Sequence, residues 1–318
     1  MSKKMRVALV VYELTINSFD HGIVYGEEMD AWGIQKAFQR RLDVESCDIL
    51  TINLIRFLEQ RGEMKEYDLA IHFAVPTVKI DNAVNILFFQ QFYEWEKHDM
   101  TKHLENFDFI MTPAQRVTEW YKDVIYFPLA VDMDFYKPVE KDSRFANDIV
   151  FVGNRKMRDK ETYERFLKPA FEYDLAIYGA EWNVAGFEGY QKYYKGMLPY
   201  DDAAKVYSSA RISLCIHNKK YVDKFLLVTT RGFHSISCGG FVISDPISEM
   251  MNLLPDGKGG TYTDGYEDLK KKIEYYLQHE EERNDISKAG YEWIKKYHTW
   301  DVRVDKLLKD IKFSVIED

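Results

Sequence analysis

Two short stretches concentrate the groups that could hold a phosphorylated ligand. The fifteen residues from Arg231 to Asp245 read as a helix, a glycine turn at Cys238, Gly239 and Gly240, and a short apolar strand, Phe241–Ile243, whose carboxyl end carries Ser244 and Asp245. Ligands of open parallel sheets bind outside that carboxyl edge. There a guanidinium such as Arg231 forks onto a diphosphate, and glycine lets the backbone approach it. The second stretch, Gly153 to Arg158, follows an apolar strand and supplies Arg155, Lys156 and Arg158, with Lys224 falling near another strand end. Two or three cations converging on one edge suit a diphosphate leaving group. Each feature also has a plainer reading, as a solvated basic turn or an ordinary helix-to-strand connection. Neither stretch has the GxGxxG or GxxxxGK[ST] spacing, which disfavours a nicotinamide cofactor and Walker-type ATP binding.

Other candidates are weaker. Asp132-Met133-Asp134 spells the Asp-x-Asp pair that can hold a divalent ion through hard oxygens, but it lies between two prolines in a connecting stretch, so no metal is expected. His72, His217 and His298 share no metal-binding spacing. A general base for a hydroxyl acceptor is expected from the first half of the chain. Asp20 and His21 are chosen because the polar loop after the first strand is longer than such connections usually are.

The elements that must position these residues form two series. Apolar runs at Arg6–Leu14, Asp48–Ile52, Tyr67–Phe73, Asn85–Phe89, Phe107–Met111 and Val124–Phe127 predict a parallel α/β sheet. A second series follows at Asp148–Val152, Leu175–Tyr178, Ile212–Ile216, Phe241–Ile243 and Thr261–Tyr262, with helices predicted over Lys160–Phe171, Tyr200–Ala210, Lys224–Ser237 and Pro246–Leu254. The last fifty residues carry helical spacing, as at Leu269, Ile273 and Leu277. The expectation is a domain over 1–130, a linker over 131–147, a second domain over 148–297 and a terminal helix over 298–318.

A chain of 318 residues, 46% hydrophobic, can bury two cores. Its net charge of −9 argues against a dominant nucleic-acid footprint. Cys47, Cys215 and Cys238 sit apart in apolar surroundings, as reduced thiols of a cytoplasmic protein would. No run is long enough to span a bilayer, and Met1 to Arg6 leads straight into strand without a signal-peptide core.

In order along the chain, several groups of residues resemble the spore-maturation (CgeB-type) glycosyltransferases. They are Asp148 to Asn154 with Arg158, Ile177-Tyr178-Gly179 with Trp182, Lys195-Gly196, Tyr207 with Ala210 to Leu214 and His217, Arg231-x-Phe233 with Cys238 to Phe241, and finally Arg283, Gly290, His298-Thr299 and Arg303. Pro128 to Pro138 is similar to the linker of retaining transferases with two Rossmann-like domains, the GT-B architecture. The resemblance implies two tandem Rossmann-like domains with a terminal helix crossing back to the first. It implies a nucleoside-diphosphate sugar held by the second domain, an acceptor bound mainly by the first, and transfer without an obligatory metal or other cofactor.

Carried onto this sequence, Gly153, Arg158 and Arg231 face the diphosphate, Arg231 stabilising the leaving group. Asn154 and Arg155 belong to the same loop. Tyr178, Gly179, Trp182, Gly196, Met197 and Leu198 lie around the nucleobase, and Ser237, Cys238, Gly239 and Gly240 approach the phosphates or sugar. His217, Lys224 and His234 complete the donor set. One departure stands out: where the family carries Glu after Arg-x-Phe, this chain has His234, and a neutral imidazole accepts one hydrogen bond where a carboxylate accepts several.

The leading expectation is transfer of a sugar to a hydroxyl on a glycan, protein or small molecule. His234 motivates an alternative, a non-catalytic subunit of the same fold that binds a nucleotide or glycan. A third reading makes the acceptor a nucleic-acid base and needs a basic face, for which Lys36, Arg40, Arg41, Arg56 and Arg61 are candidates against the acidic balance.

Overall fold

In the computed structural model, residues 3–12, 26–73, 75, 77–90, 106–121 and 123–316 are described. They divide into two compact units, the first including Val24–Leu129 and Trp300–Asp318, the second including Ala130–Thr299. Asp20 and His21 lie outside the described residues.

The first unit is built on a six-stranded sheet in the order β2-β1-β3-β4-β5-β6. Its strands are β1 (Met5–Val11), β2 (Val44–Thr51), β3 (Leu69–His72), β4 (Val84–Phe88), β5 (Phe109–Thr112) and β6 (Val124–Tyr126). All pairings are parallel, which demands crossovers and buries both faces, hence the unbroken apolar runs. Helix α1 (Gly26–Gln39) packs on β2, α2 (Ile52–Arg61) follows β2, and α3 (Val117–Trp120) precedes β6. Helix α2 lies outside the elements predicted from sequence. Its signals are Thr51, whose hydroxyl accepts from the Leu54 N–H, and Gly62 at φ 66°, which closes its last turn.

The second unit carries β7 (Ile149–Val152), β8 (Leu175–Tyr178), β9 (Ile212–Cys215), β10 (Val242–Ser244) and β11 (Gly260–Tyr262), parallel throughout, in the order β11-β10-β9-β7-β8. Its helices are α4 (Lys160–Phe166), α5 (Glu188–Gln191), α6 (Ala203–Ser209), α7 (Lys219–Phe225), α8 (Arg231–Ser237), α9 (Ser248–Leu253), α10 (Tyr266–Gln278) and α11 (Glu280–Tyr297). Phe151, Tyr163, Trp182 and Ile177 lie at the centre of its core. Gly290 of α11 is required by packing: a Cβ there would sit 2.2 Å from the Gly259 Cα.

Helix α12 (Trp300–Ile316) belongs to the first unit and packs on α1. A Cβ on Gly33 would fall 2.1 Å from the Trp300 ring, so only glycine admits that indole. The Trp300 ring stacks on Phe127 at 6.2 Å, and Arg303 Nε donates to the Pro128 carbonyl at 2.7 Å. The tandem Rossmann-like architecture and the returning helix are thus both present.

Two helices differ from expectation. The stretch Lys224–Ser237 is two helices, because Leu226 adopts φ 53° and ends α7, and the β-branched Val228, Thr229 and Thr230 separate it from α8. The helix predicted to reach Phe171 ends at Phe166, and Lys168–Glu172 continues as a 3-10 turn with Pro169 at its start. Residues 131–147, expected as a linker, fall within the second unit. Val139 N–H donates to the Ser208 hydroxyl and Asp142 N–H to that of Ser209.

Candidate functional site

Strand order in the second unit reverses between β7 and β9, and Arg158 bridges that point. The chain leaves β7 through Gly153, passes a 3-10 turn over Arg155–Met157 and places Arg158 where its Nε donates to the Ile216 carbonyl, just past β9, at 2.7 Å. A crevice at the carboxyl ends of strands, where their order reverses, is where open parallel sheets bind ligands.

The Gly153 loop is knitted to the one after β8. The Gly153 N–H donates to the Tyr178 carbonyl, the Ala180 N–H to Asn154 Oδ1, and the Arg155 N–H to the Ala180 carbonyl. Gly179, at φ 134°, lets the loops touch, since a Cβ there would lie 2.3 Å from the Gly153 oxygen. Trp182 was expected around the nucleobase. It is instead fully buried in the core, and its indole N–H donates to the Gly153 carbonyl at 2.8 Å, so it fixes the loop from beneath. Tyr178 is likewise buried.

Arg158 is 6% exposed, its guanidinium lies over the Phe151 ring, and its Nη1 is buried without a hydrogen-bond partner. Burial and the neighbouring charge of Arg231 push it down to about 10, so it remains a cation at neutral pH. Arg231 opens α8, half-buried, with Nε also buried and unpartnered. Among the described residues neither arginine forms an ion pair. A buried cation and a half-buried one that repel each other are costly, and become favourable when an anion of at least two charges sits against them.

Three further groups belong to the same edge. His217, 1% exposed, receives Asp245 from the end of β10. The carboxylate accepts from the His217 backbone N–H and lies 2.6 Å from Nδ1, while Nε2 is buried without a partner. Burial would raise the Asp245 carboxyl, but His217, through charge and hydrogen bonds, outweighs it and holds the group below its usual range, with Arg158 adding to the effect. Ser237 contributes a fourth buried atom without a partner, its Oγ. The sequence marks Asp245 only as the end of a strand. The signal that could have found it is a carboxylate directly after an apolar strand.

His234 is stacked face to face on Tyr136, 3.8 Å between ring centroids at 6°. Burial and the Arg231 charge push its imidazole down to about 3, so it is neutral. Cys238, Gly239 and Gly240 form the turn between α8 and β10. A Cβ on Gly240 would meet the Ser235 hydroxyl at 2.4 Å, and Gly239 takes φ 79°, so the geometry of the turn accounts for both glycines. Gly196 at φ 94°, Met197 and Leu198 form a partly exposed loop beyond β8, where the Gly179 N–H donates to the Gly196 carbonyl. The Lys224 ammonium lies over the Phe225 ring at 5.1 Å. The structure therefore groups Gly153, Arg158, His217, Arg231 and His234, and leaves Trp182 in the core.

The Asp132 carboxylate accepts from the Asp134 N–H, closing its own turn, and among the described residues no three His, Cys, Asp or Glu could hold a metal ion. Nor is any described helix long and apolar enough to cross a membrane.

Residues 155–309 match the family model described as glycosyl transferase-like. No curated protein matches the chain in sequence. Among solved structures, it is similar to sucrose-phosphate synthase from Thermosynechococcus elongatus, at 13% identity and a TM-score of 0.66 over 99% of this chain and 100% of that one. It is similar to Anabaena HepE in complex with UDP-glucose, at 10% identity and a TM-score of 0.65 over 97% and 99%. An alpha-glucosyltransferase in complex with UDP-glucose and DNA containing an abasic site aligns at 10% identity and a TM-score of 0.68 over 97% and 99%. The chain shares the fold of these proteins.

Proposed function

We propose that this chain is a glycosyltransferase that takes its sugar from a nucleoside-diphosphate donor, uridine diphosphate being the first to test, and passes it to a hydroxyl acceptor. The observation that carries the reading is the pair of guanidiniums at the β7–β9 edge, Arg158 buried and Arg231 half-buried, each with a buried nitrogen that lacks a partner. A diphosphate supplies both the charges and the acceptors they lack. In the reaction the bond from the sugar C1 to the diphosphate oxygen breaks, its electron pair leaving with the diphosphate. A bond forms from C1 to the acceptor oxygen, whose proton passes to a base. Arg231 and Arg158 stabilise the charge that grows on the leaving group. For the base we retain Asp20 and His21, in the sequence after the first strand, with the acceptor taken mainly by the first domain.

The CgeB-type assignment is supported by the ordered motifs from Asp148 to Arg303. Placement in the cytoplasm is supported by three buried, unpaired cysteines. Metal independence is supported by the arginine pair, which does the neutralising otherwise left to a divalent ion.

The test is calorimetric titration of UDP and UDP-glucose, with and without magnesium, followed by single-turnover transfer. Binding to the wild type that Arg231→Ala weakens about tenfold or more supports the reading, and equal binding by the two proteins removes it. One observation favours a second reading, a nucleotide-binding subunit without transfer. His234, standing where the family has a ribose-binding carboxylate, offers one face to Tyr136 rather than to a ribose. Binding without turnover would select it. A shift of DNA by the chain, absent with Arg56→Glu and Arg61→Glu, would make the acceptor a nucleic acid.

A further inference from the structure

Helix α11 packs on its own unit through Arg283, Ser287, Gly290 and Ile294, which its 3.6-residue period turns inward. The same period puts Asp285 and Glu292, both exposed, on the opposite side. Trp293 and Tyr297, one turn apart, fall on the flank between. That flank faces the end of α9, for the Trp293 indole N–H donates to the Leu253 carbonyl at 2.9 Å. The two rings lie 4.5 Å apart at 54°, and Tyr297 is 37% exposed beside an α9 that leaves Met251 42% exposed. Two ammonium groups border the pair, Lys258 Nζ at 5.8 Å from the Trp293 ring and Lys296 Nζ at 4.9 Å from that of Tyr297. Lys270 and Lys272 of the neighbouring α10 are each held by a carboxylate at 2.7 Å, whereas among the described residues Lys258 and Lys296 form no ion pair.

We propose that this flank of α11 docks an acidic peptide segment of a partner protein, whose apolar side chains seat on Met251 and the two rings while its carboxylates reach Lys258 and Lys296. Charge complementarity selects the occupant. A chain of net charge −9 repels an acidic partner over most of its surface, so such a partner is held where cations stand unpaired. Trp, Tyr and Met are also the side chains that carry most binding energy at protein interfaces. Two other occupants fit less well. A glycan stacks on an open ring face, but Lys258 lies over the Trp293 ring and Tyr297 leans against it. An anionic lipid surface is flat and meets the outward side of α11, where Asp285 and Glu292 repel it, whereas a peptide along the flank avoids both. The proposal concerns a second activity of the chain and does not depend on the transferase reading.

The test is selection from a random-peptide phage library on the immobilised full chain, after which the enriched peptides are synthesised with a fluorescent label and titrated by anisotropy. Two variants are compared with the wild type: Lys258→Glu with Lys296→Glu, which reverses the charge, and Met251→Ser, which removes exposed apolar surface. Circular dichroism confirms that each is folded. The expected peptides are rich in Asp and Glu and carry Leu, Phe or Trp. Their affinity should fall at least about tenfold in the lysine variant and about threefold or more in Met251→Ser, and should weaken with added salt. Affinity for UDP should stay within about twofold in both variants. Failure of any peptide to enrich, enrichment of neutral or basic sequences, or equal affinity for the three proteins overturns the proposal. Vesicles of phosphatidylglycerol and phosphatidylcholine form a second arm. Sedimentation of the wild type but not the lysine variant with them, in the absence of peptide binding, overturns it in favour of a lipid surface.

Discussion

The third strand in sequence of each unit leads to a buried histidine, and the two histidines are treated differently. In the first unit His72 ends β3 with both ring nitrogens engaged, Nε2 at 2.8 Å from Asn85 Oδ1 and Nδ1 at 3.1 Å from the Thr77 hydroxyl. Asn85 is satisfied in turn, its Nδ2 donating to the Ile80 and Ala83 carbonyls. In the second unit His217 follows β9 with one nitrogen on Asp245 and the other on nothing. The helix ends repeat the contrast. Helix α2 reaches its left-handed turn with Gly62, whereas α7 makes the same kind of turn with Leu226, where a side chain strains the backbone. Buried polar groups are normally paired, so Arg158 Nη1, Arg231 Nε, His217 Nε2 and Ser237 Oγ, all at one sheet edge, mark where a ligand completes the structure.

The comparison breaks most visibly if the arginines are removed. Arg158→Ala or Arg231→Ala should weaken UDP binding about 10–100-fold, as expected for charge-assisted hydrogen bonds of about 1.5–3 kcal/mol. Arg231→Ala should also slow transfer by about 10²–10³. Calorimetry and a single-turnover assay read these. Normal affinity in both variants would leave the unpartnered nitrogens without a ligand to explain them.

His72→Ala should lower unfolding free energy by about 2–4 kcal/mol in a denaturant titration, because it opens a cavity and strips Asn85 of a partner, and should leave UDP affinity unchanged. An altered affinity would mean the first unit's histidine is not merely architectural.

Acid sharpens the contrast further. Burial pushes His72 down to about 4, below its value of about 6.5 in an unfolded chain, so the unfolded state takes up the proton first. Its contribution is fully present above pH 6.5 and is lost as pH falls toward 4, amounting to about 2 kcal/mol by pH 5. Denaturant midpoints measured from pH 7 to 5 should fall accordingly, and less steeply in His72→Gln. The smallest effect is a mirrored pair: Leu226→Gly should stabilise by roughly 0.5–1 kcal/mol, and Gly62→Ala should destabilise by about 1 kcal/mol. Destabilisation by Leu226→Gly would mean that the leucine contributes contacts worth more than its backbone strain.

Apolar runs made the two sheets legible, since strands buried on both faces cannot tolerate polar residues. Leu175–Tyr178 and its neighbours were therefore recognisable one by one. Gly239 and Gly240 marked the turn for the same local reason. The site was legible only as residue types. Arg158 and Arg231 could be nominated, but their proximity, the His217–Asp245 bond across 28 residues and the Tyr136–His234 stack are long-range facts without a local signature. Trp182 misled because an aromatic just past a strand reads equally well as a base platform or as core. The missed α2 shows the converse, for its cap at Thr51 and stop at Gly62 were visible, and only its exposed Leu54 and Phe57 blurred the amphipathic pattern.

The enclosure of the second unit between Leu129 and Trp300 also bears on how the chain is made. Its two ends are fastened to each other, Val131 N–H donating to the His298 carbonyl beside a parallel bridge from Val131 to Thr299. Every element of that unit has left the ribosome before Trp300 emerges, so it can fold while synthesis continues, at about 5–20 residues per second. The first unit, though synthesised earlier, must wait with Gly33 and Phe127 exposed for the indole that completes its core. The later half of the chain is thus free to mature first, and the nascent first half is where a holding chaperone would find its apolar surface.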